Sequence, residues 1–357
     1  MNKRLRLYAI LGIFFIIALT RILLTSKNET PQKKQTQKKQ PTQKQQFPFN
    51  IIQHEKLSYN EFMKHFNVIG QKRVPGTKSH KQIENYIIGH FEKLQWHFEE
   101  DVFTSKTILG EIEFRNLIFT LNLNHKIEND APFPQENTMV FAVHYDSKYF
   151  ADIDNFIGAI DSAAPCAIYL QIAEYYTFLF RNSQFKHLFS KQSYITQIQF
   201  IFFDGEESFG KWSASDSLYG SRHLAEKFKQ QNRLSYMKIF MLLDLFGHKL
   251  DSPLKYYFDS TSVFHQQFVL IENFLREHNL NALPKERPLF SDKKADGMIE
   301  DDHIPFLQNQ IPCVHLIPDK FPEFWHTEKD NLDVIDPNSV VDLVKILVLL
   351  FLQITTK

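Results

Sequence analysis

Four short runs of almost wholly apolar residues, at 138–143, 195–203, 239–245 and 313–317, set the strongest limit on how this chain can fold. None of them alternates apolar with polar, so each predicts a strand covered on both faces. Between and after them lie stretches of helical length and period, at 162–180, 218–230, 263–278 and 338–352. Ahead of them, 59–69 and 80–97 show amphipathic helical spacing and 107–123 reads as strand. This alternation predicts the α/β class: a single domain with a mostly parallel central sheet and helices on both faces.

Sheets of this kind bind ligands beyond the carboxyl ends of their strands. Here the runs lead into His144-Tyr145-Asp146, into Asp204-Gly205-Glu206-Glu207, to Asp244, and through Pro318 into Phe321-Pro322-Glu323-Phe324-Trp325-His326. Any one of these groups alone would be a solvated loop acid or a hydrogen-bonded histidine. Four strand ends that agree predict an active site. Asp161 starts a helix in Gly158-Ala159-Ile160-Asp161, where a lone aspartate would serve as an N-cap. Carboxylate oxygen and imidazole nitrogen together form a donor set for a divalent metal, and catalytic zinc takes three such ligands and keeps one position open. The two cysteines are far apart, which excludes a thiolate zinc module and a disulfide framework. The adjacent acids Glu206 and Glu207 can divide the work, one ligating and the other acting as an acid/base beside the metal.

The charge balance is uneven although the total is zero. Residues 1–46 hold ten Lys and Arg against one acid, Glu29, which leaves the remainder at −9. Such a body is a poor partner for nucleic acid. Lys3, Arg4 and Arg6 precede an uncharged stretch at 7–20, which continues past Arg21 to Thr25. Counted to Thr25 it would span roughly 28 Å as a helix, near the hydrocarbon thickness of a bilayer. Basic flanks predict an uncleaved signal anchor over 1–26 with the body lumenal, and no small-x-small site follows to favour cleavage and secretion, the alternative. Residues 27–46 read as a stalk: 31–46 is seven Gln, five Lys, two Pro and two Thr, with nothing to build a core. The folded domain is then expected over 47–357. Asn28-Glu29-Thr30 is a glycosylation sequon close to the expected membrane surface.

The strings HYDSK (144–148), IGAIDSAAPCA (157–167), FFDGEESF (202–209), DSLYGSRHLA (216–225), LLDLFG (242–247), DDHIPF (301–306) and HLIPDKFPEFWHTEKDN (315–331) resemble, in order and spacing, the glutaminyl-peptide cyclotransferases. These glutaminyl cyclases are relatives of the zinc aminopeptidases with the same fold, and the resemblance runs over roughly residues 50–355. It implies one zinc per chain, held by Asp161, Glu207 and His326. It further implies Glu206 as the acid/base, with Asp244 and Asp301 as an acidic hydrogen-bonding group beside it. Trp212, Glu300, Phe321 and Trp325 would line the substrate pocket, although Phe321 alone, among 35 phenylalanines, also reads as an ordinary core ring. The implied substrates are peptides or proteins with an N-terminal glutamine. The anchor further resembles the Golgi-resident form, which implies a single-pass type II protein of the secretory pathway.

The chain also departs from the family. Many animal members pair the Cys166 position with one held here by Val143, so that bridge is absent, and spacing alone leaves a Cys166–Cys313 pair open. Glu300 stands where the family often has glutamine. His144 and Asp244 match second-metal ligands of the aminopeptidases, so a zinc aminopeptidase is the alternative function. A non-enzymatic binding protein on the same fold is a third reading, and the intact Asp161, Glu206, Glu207 and His326 set argues against it.

Overall fold

The four apolar runs become the four parallel strands of one six-stranded sheet. The computed structural model describes residues 49–123, 136–185, 189 and 193–355. The expected anchor, stalk and sequon lie outside these residues. In chain order the strands are β1 (His97–Thr107), β2 (Gly110–Asn122), β3 (Thr138–His144), β4 (Gln197–Phe203), β5 (Met237–Leu243), β6 (Leu254–Tyr256), β7 (Phe290–Lys294) and β8 (Cys313–Leu316). The main sheet has the order β1-β2-β4-β3-β5-β8, and β6 pairs with β7 in a small separate sheet. Pairings from β4 through β3 and β5 to β8 are parallel, whereas β1 and β2 form an antiparallel flank on β4.

The helices are α1 (Tyr59–Ile69), α2 (Lys78–Lys93), α3 (Ala164–Arg181), α4 (Tyr219–Gln230), α5 (Ser262–Glu277), the short α6 (Ile304–Gln308) and α7 (Pro337–Thr355). Successive strand residues point to opposite faces, and both faces are covered here. Met139, Phe141 and Val143 join one core with α1, α2, α3, α5 and α7, while Val140 and Ala142 join a second with α4 and α6. This explains why the runs lack alternation: each face has its own apolar layer. α7 is long and apolar enough to cross a bilayer, yet 78% of its apolar window is buried inside the molecule, so it serves as a core helix.

The segment read as a helix over 80–97 divides. α2 stops at Lys93, and residues from His97 form β1, which turns back through Ile108 and Leu109 into β2. β1 is an edge strand in which only Asp101 is buried, so its polar sequence HFEEDVFTSKT carries little period-two signal. Cys166 and Cys313 are both buried and free, which answers the pairing left open by spacing.

Phe200 on β4 is fully buried, with Phe91, Trp96, Phe141 and Tyr169 rings around it at centroid distances of 5.2–6.0 Å. Phe200→Ala is expected to lower unfolding stability by about 3–5 kcal/mol, through lost transfer energy plus a cavity. A denaturant titration that finds a shift below about 1 kcal/mol would contradict this packing.

Candidate active site

Chain direction places the chemistry. β3, β4, β5 and β8 all end on the same edge of the sheet, and there β4 and β5 flank β3 on opposite sides. The α3 crossover covers one face and the α4 crossover the other, so a crevice opens at the carboxyl ends. All ten residues predicted for the site line one cavity of about 500 Å³ there: Asp161, Glu206, Glu207, Trp212, Asp244, Glu300, Asp301, Phe321, Trp325 and His326. The acids among them are buried except Glu300, and Phe321 is 37% exposed.

Asp161, Glu207 and His326 converge from three separated stretches of chain. His326 Nε2 lies 3.2 Å from Asp161 Oδ2 and 3.3 Å from Glu207 Oε1. Two donors bound at about 2.05 Å to one tetrahedral ion are about 3.3 Å apart, so this spacing is that of a zinc coordination edge. Glu207 Oε1 is buried without a hydrogen-bond partner among the described residues, as a group reserved for a metal would be. Burial opposes charge on His326, but the neighbouring carboxylates of Asp161 and Glu207 outweigh it and lift its pKa to about 9. Burial opposes charge on Asp161 as well, but the adjacent imidazoles of His144 and His326 overcome it and hold its carboxyl far below the usual range. The site therefore favours positive charge, and its nitrogen and oxygen donors fit zinc.

Neighbouring groups fix these ligands. Trp325 donates its indole N–H to Asp161 Oδ2 at 3.0 Å and stacks on His326 with centroids 3.7 Å apart. Lys148 Nζ lies 3.3 Å from Glu207 Oε2 and donates to Ser208 Oγ at 2.9 Å. The amide N–H groups of Glu206 and Glu207 both donate to Asp146, one to each carboxylate oxygen, at 3.2 Å. Gly205, just ahead of that pair, has φ +71° and sits against Phe114, whose ring a β-carbon would strike. Gly158 has φ +53°, and a β-carbon there would run into the Asp161 carbonyl oxygen. Glycine is the residue that satisfies both positions.

Beneath the Asp161 turn, the fully buried Arg73 guanidinium donates to the carbonyls of Ile69, Gln71, Tyr145, Asp146, Ile157, Gly158 and Asp161. It draws the loop after β3 and the approach to α3 into one body. Asp330 accepts from the Ile160 amide at 2.9 Å and so ties the His326 loop to the same turn.

A second set, His144, Asp161 and Asp244, has similar spacing: His144 Nε2 lies 3.1 Å from Asp161 Oδ1 and 3.3 Å from Asp244 Oδ1. A third, Asp301, His303 and His315, is different in kind. His315 Nε2 and Asp301 Oδ2 are 2.7 Å apart, a hydrogen bond and too short for two ligands of one ion. His315, Asp146, Asp330 and Arg73 were not among the residues predicted for the site. His315 lies inside β8, where a histidine reads as core, and the other three act mainly on backbone groups that carry no sequence signal.

Burial drives the remaining acids upward. It raises Glu206 well above the usual carboxylate range against the opposing His144 charge, with Glu207 and Asp301 adding repulsion. Burial likewise pushes Asp244 up to about 7 and Asp301 up to about 6. These three acids line the metal side of the cavity, and Trp212, Glu300 and Phe321 line its mouth.

A six-stranded α/β sheet with carboxylates and an imidazole at metal-ligand spacing beyond its strand ends defines the class. The sequence profile of peptidase family M28 matches residues 122–350, and the chain belongs to that family. Within it the relatives are specific. The chain is 36% identical to a glutaminyl-peptide cyclotransferase of Dictyostelium discoideum over 83% of its length and 85% of the relative's. It is 38% identical to that of Bos taurus, covering 79% and 78%. The crystal structure of Macrostomum lignano glutaminyl cyclase superposes with a TM-score of 0.73 at 32% identity, covering 85% of this chain and 92% of that one. The chain is a member of the glutaminyl-peptide cyclotransferase family.

Trp325→Phe keeps a ring over His326 and removes the N–H that orients Asp161. Zinc affinity, read by competition with a chelator, is expected to fall about 10–100-fold, as for other groups that orient ligands. An unchanged affinity would show that the indole does nothing for the metal.

Proposed function

We propose that this protein is a zinc-dependent glutaminyl-peptide cyclotransferase anchored in the membrane of the secretory pathway, at the Golgi. The activity is an acyl transfer within one residue: an N-terminal glutamine closes on itself to pyroglutamate and releases ammonia. The observation that carries the metal-dependent reading is the Asp161, Glu207 and His326 triangle at zinc-edge spacing, with Glu206 beside it in the chain. Asp161, Glu207 and His326 would hold the ion, which, when bound, supplies Lewis-acid polarisation of the glutamine γ-carbonyl.

The chain's own groups do the rest. Glu206 takes a proton from the attacking α-amine and delivers one to the departing amide nitrogen, and a carboxyl with a raised proton affinity suits that shuttle. Asp244 and Asp301 hold the amine. Phe321 and Trp325 fold the glutamine side chain back on its own amine and, with Trp212 at the mouth, keep water out. That proximity can contribute up to about 7–11 kcal/mol, and it makes an enzyme nucleophile unnecessary. The anchor and lumenal placement rest on the basic flank and apolar stretch at 3–25.

A second reading, a zinc aminopeptidase of the same fold, is favoured by one observation: the His144, Asp161 and Asp244 set could take a second ion. The products separate the two. From a glutamine-headed peptide, the cyclotransferase yields ammonia and a pyroglutamyl peptide of unchanged residue number, while a peptidase yields free glutamine. Glu206→Gln is expected to reduce cyclisation about 10²–10⁴-fold, the usual contribution of a positioned acid/base, with zinc still bound. Near-full turnover in that variant would remove Glu206 from the mechanism.

A further inference from the structure

The mouth of the cavity carries one charge that the reaction does not use. Glu300 is exposed, whereas Asp161, Glu206, Glu207, Asp244 and Asp301 are buried. It lines the exposed end of the same cavity, whose lining also holds Ile299, Phe321 and Trp325. The one lysine in the lining, Lys148, is engaged with Glu207 and Ser208. No cationic side chain among the described residues forms an ion pair with Glu300. Trp212 holds it in place: the indole N–H donates to Glu300 Oε2 at 3.0 Å. That bond holds the half-buried indole beside the exposed carboxylate, and both residues line the cavity.

We propose that Trp212 and Glu300 form a subsite for a lysine or arginine directly behind the N-terminal glutamine of the substrate. The proposal rests on the cyclotransferase reading: with glutamine and its amine at the buried floor, the next residue of the substrate emerges at this rim. A carboxylate held at the edge of an indole suits a basic side chain, which stacks its cation on the ring and pairs with the acid. An acidic side chain at the same place meets repulsion. The −9 balance of the body outside residues 1–46 adds a long-range pull in the same direction.

The test compares kcat/KM on three peptides of one length that differ only in the second residue: Gln-Lys, Gln-Ala and Gln-Glu. The Gln-Lys peptide is expected to exceed Gln-Glu by about three- to tenfold at low salt, the size of an exposed ion pair with a cation–π contact. The difference should reside in KM and shrink as the salt approaches about 1 M, where screening acts within a few ångströms. In Glu300→Gln, which keeps an oxygen to accept the Trp212 N–H, the ratio should fall toward one. A ratio near one in the unmodified protein, or one that survives Glu300→Gln, overturns the subsite while leaving the cyclotransferase reading intact. Failure to cyclise any of the three peptides overturns both.

Discussion

Five carboxylates, on Asp161, Glu206, Glu207, Asp244 and Asp301, are buried around one crevice, and the rest of the structure is arranged to meet that cost. Removing an ionised carboxylate from water is expensive unless it is neutralised or paired. The protein uses both remedies. Glu206, Asp244 and Asp301 hold their protons more tightly as burial raises their affinity. Asp161 stays ionised beside the imidazoles of His144 and His326. What remains is a triangle of Asp161, Glu207 and His326 with a strong preference for positive charge, at the spacing of a zinc coordination edge.

Holding such groups together against their repulsion needs a stiff frame. The parallel strands supply the coarse placement, because each delivers its following loop to the same edge. Backbone capture supplies the fine placement. Asp146 holds the two amides of the Glu206-Glu207 pair, Arg73 gathers carbonyls from the end of α1 and from both ends of the β3–α3 connection, and Asp330 ties the His326 loop to the turn that carries Asp161. Gly158 and Gly205 allow the chain to make these approaches without a side chain in the way. The buried acids at the floor and the more exposed Trp212 and Glu300 at the rim are thereby separated, which is the division of labour the proposals above use.

Much of this was legible in the residues. The four apolar runs mark the four parallel strands to within about two residues, because strands buried on both faces leave a largely apolar trace without regular alternation. The residues after each run mark the site edge, since chain direction alone decides which end of a parallel strand faces the crevice. The flank was harder. β1 is an edge strand of polar residues with one buried position, and its pattern merges with the tail of the preceding helix. The small β6–β7 sheet left no trace for the same reason, as its register is broken and its second strand is largely exposed. Arg73 and Asp330 escaped notice, and Asp146 was read as a strand-end acid without its role, because their partners are main-chain atoms, identical at every position of a sequence. His315 escaped because a histidine inside a core strand looks like any other until its bond to Asp301 is seen.

The central claim is that one divalent ion sits on Asp161, Glu207 and His326, although His144 and Asp244 offer a neighbouring place. Metal analysis of the protein purified without added metal tests this most directly, read beside His326→Ala and His144→Ala. The account predicts a zinc-to-chain ratio near one that collapses in His326→Ala and persists in His144→Ala. Two zinc ions per chain, or loss of the metal in His144→Ala with retention in His326→Ala, would contradict it.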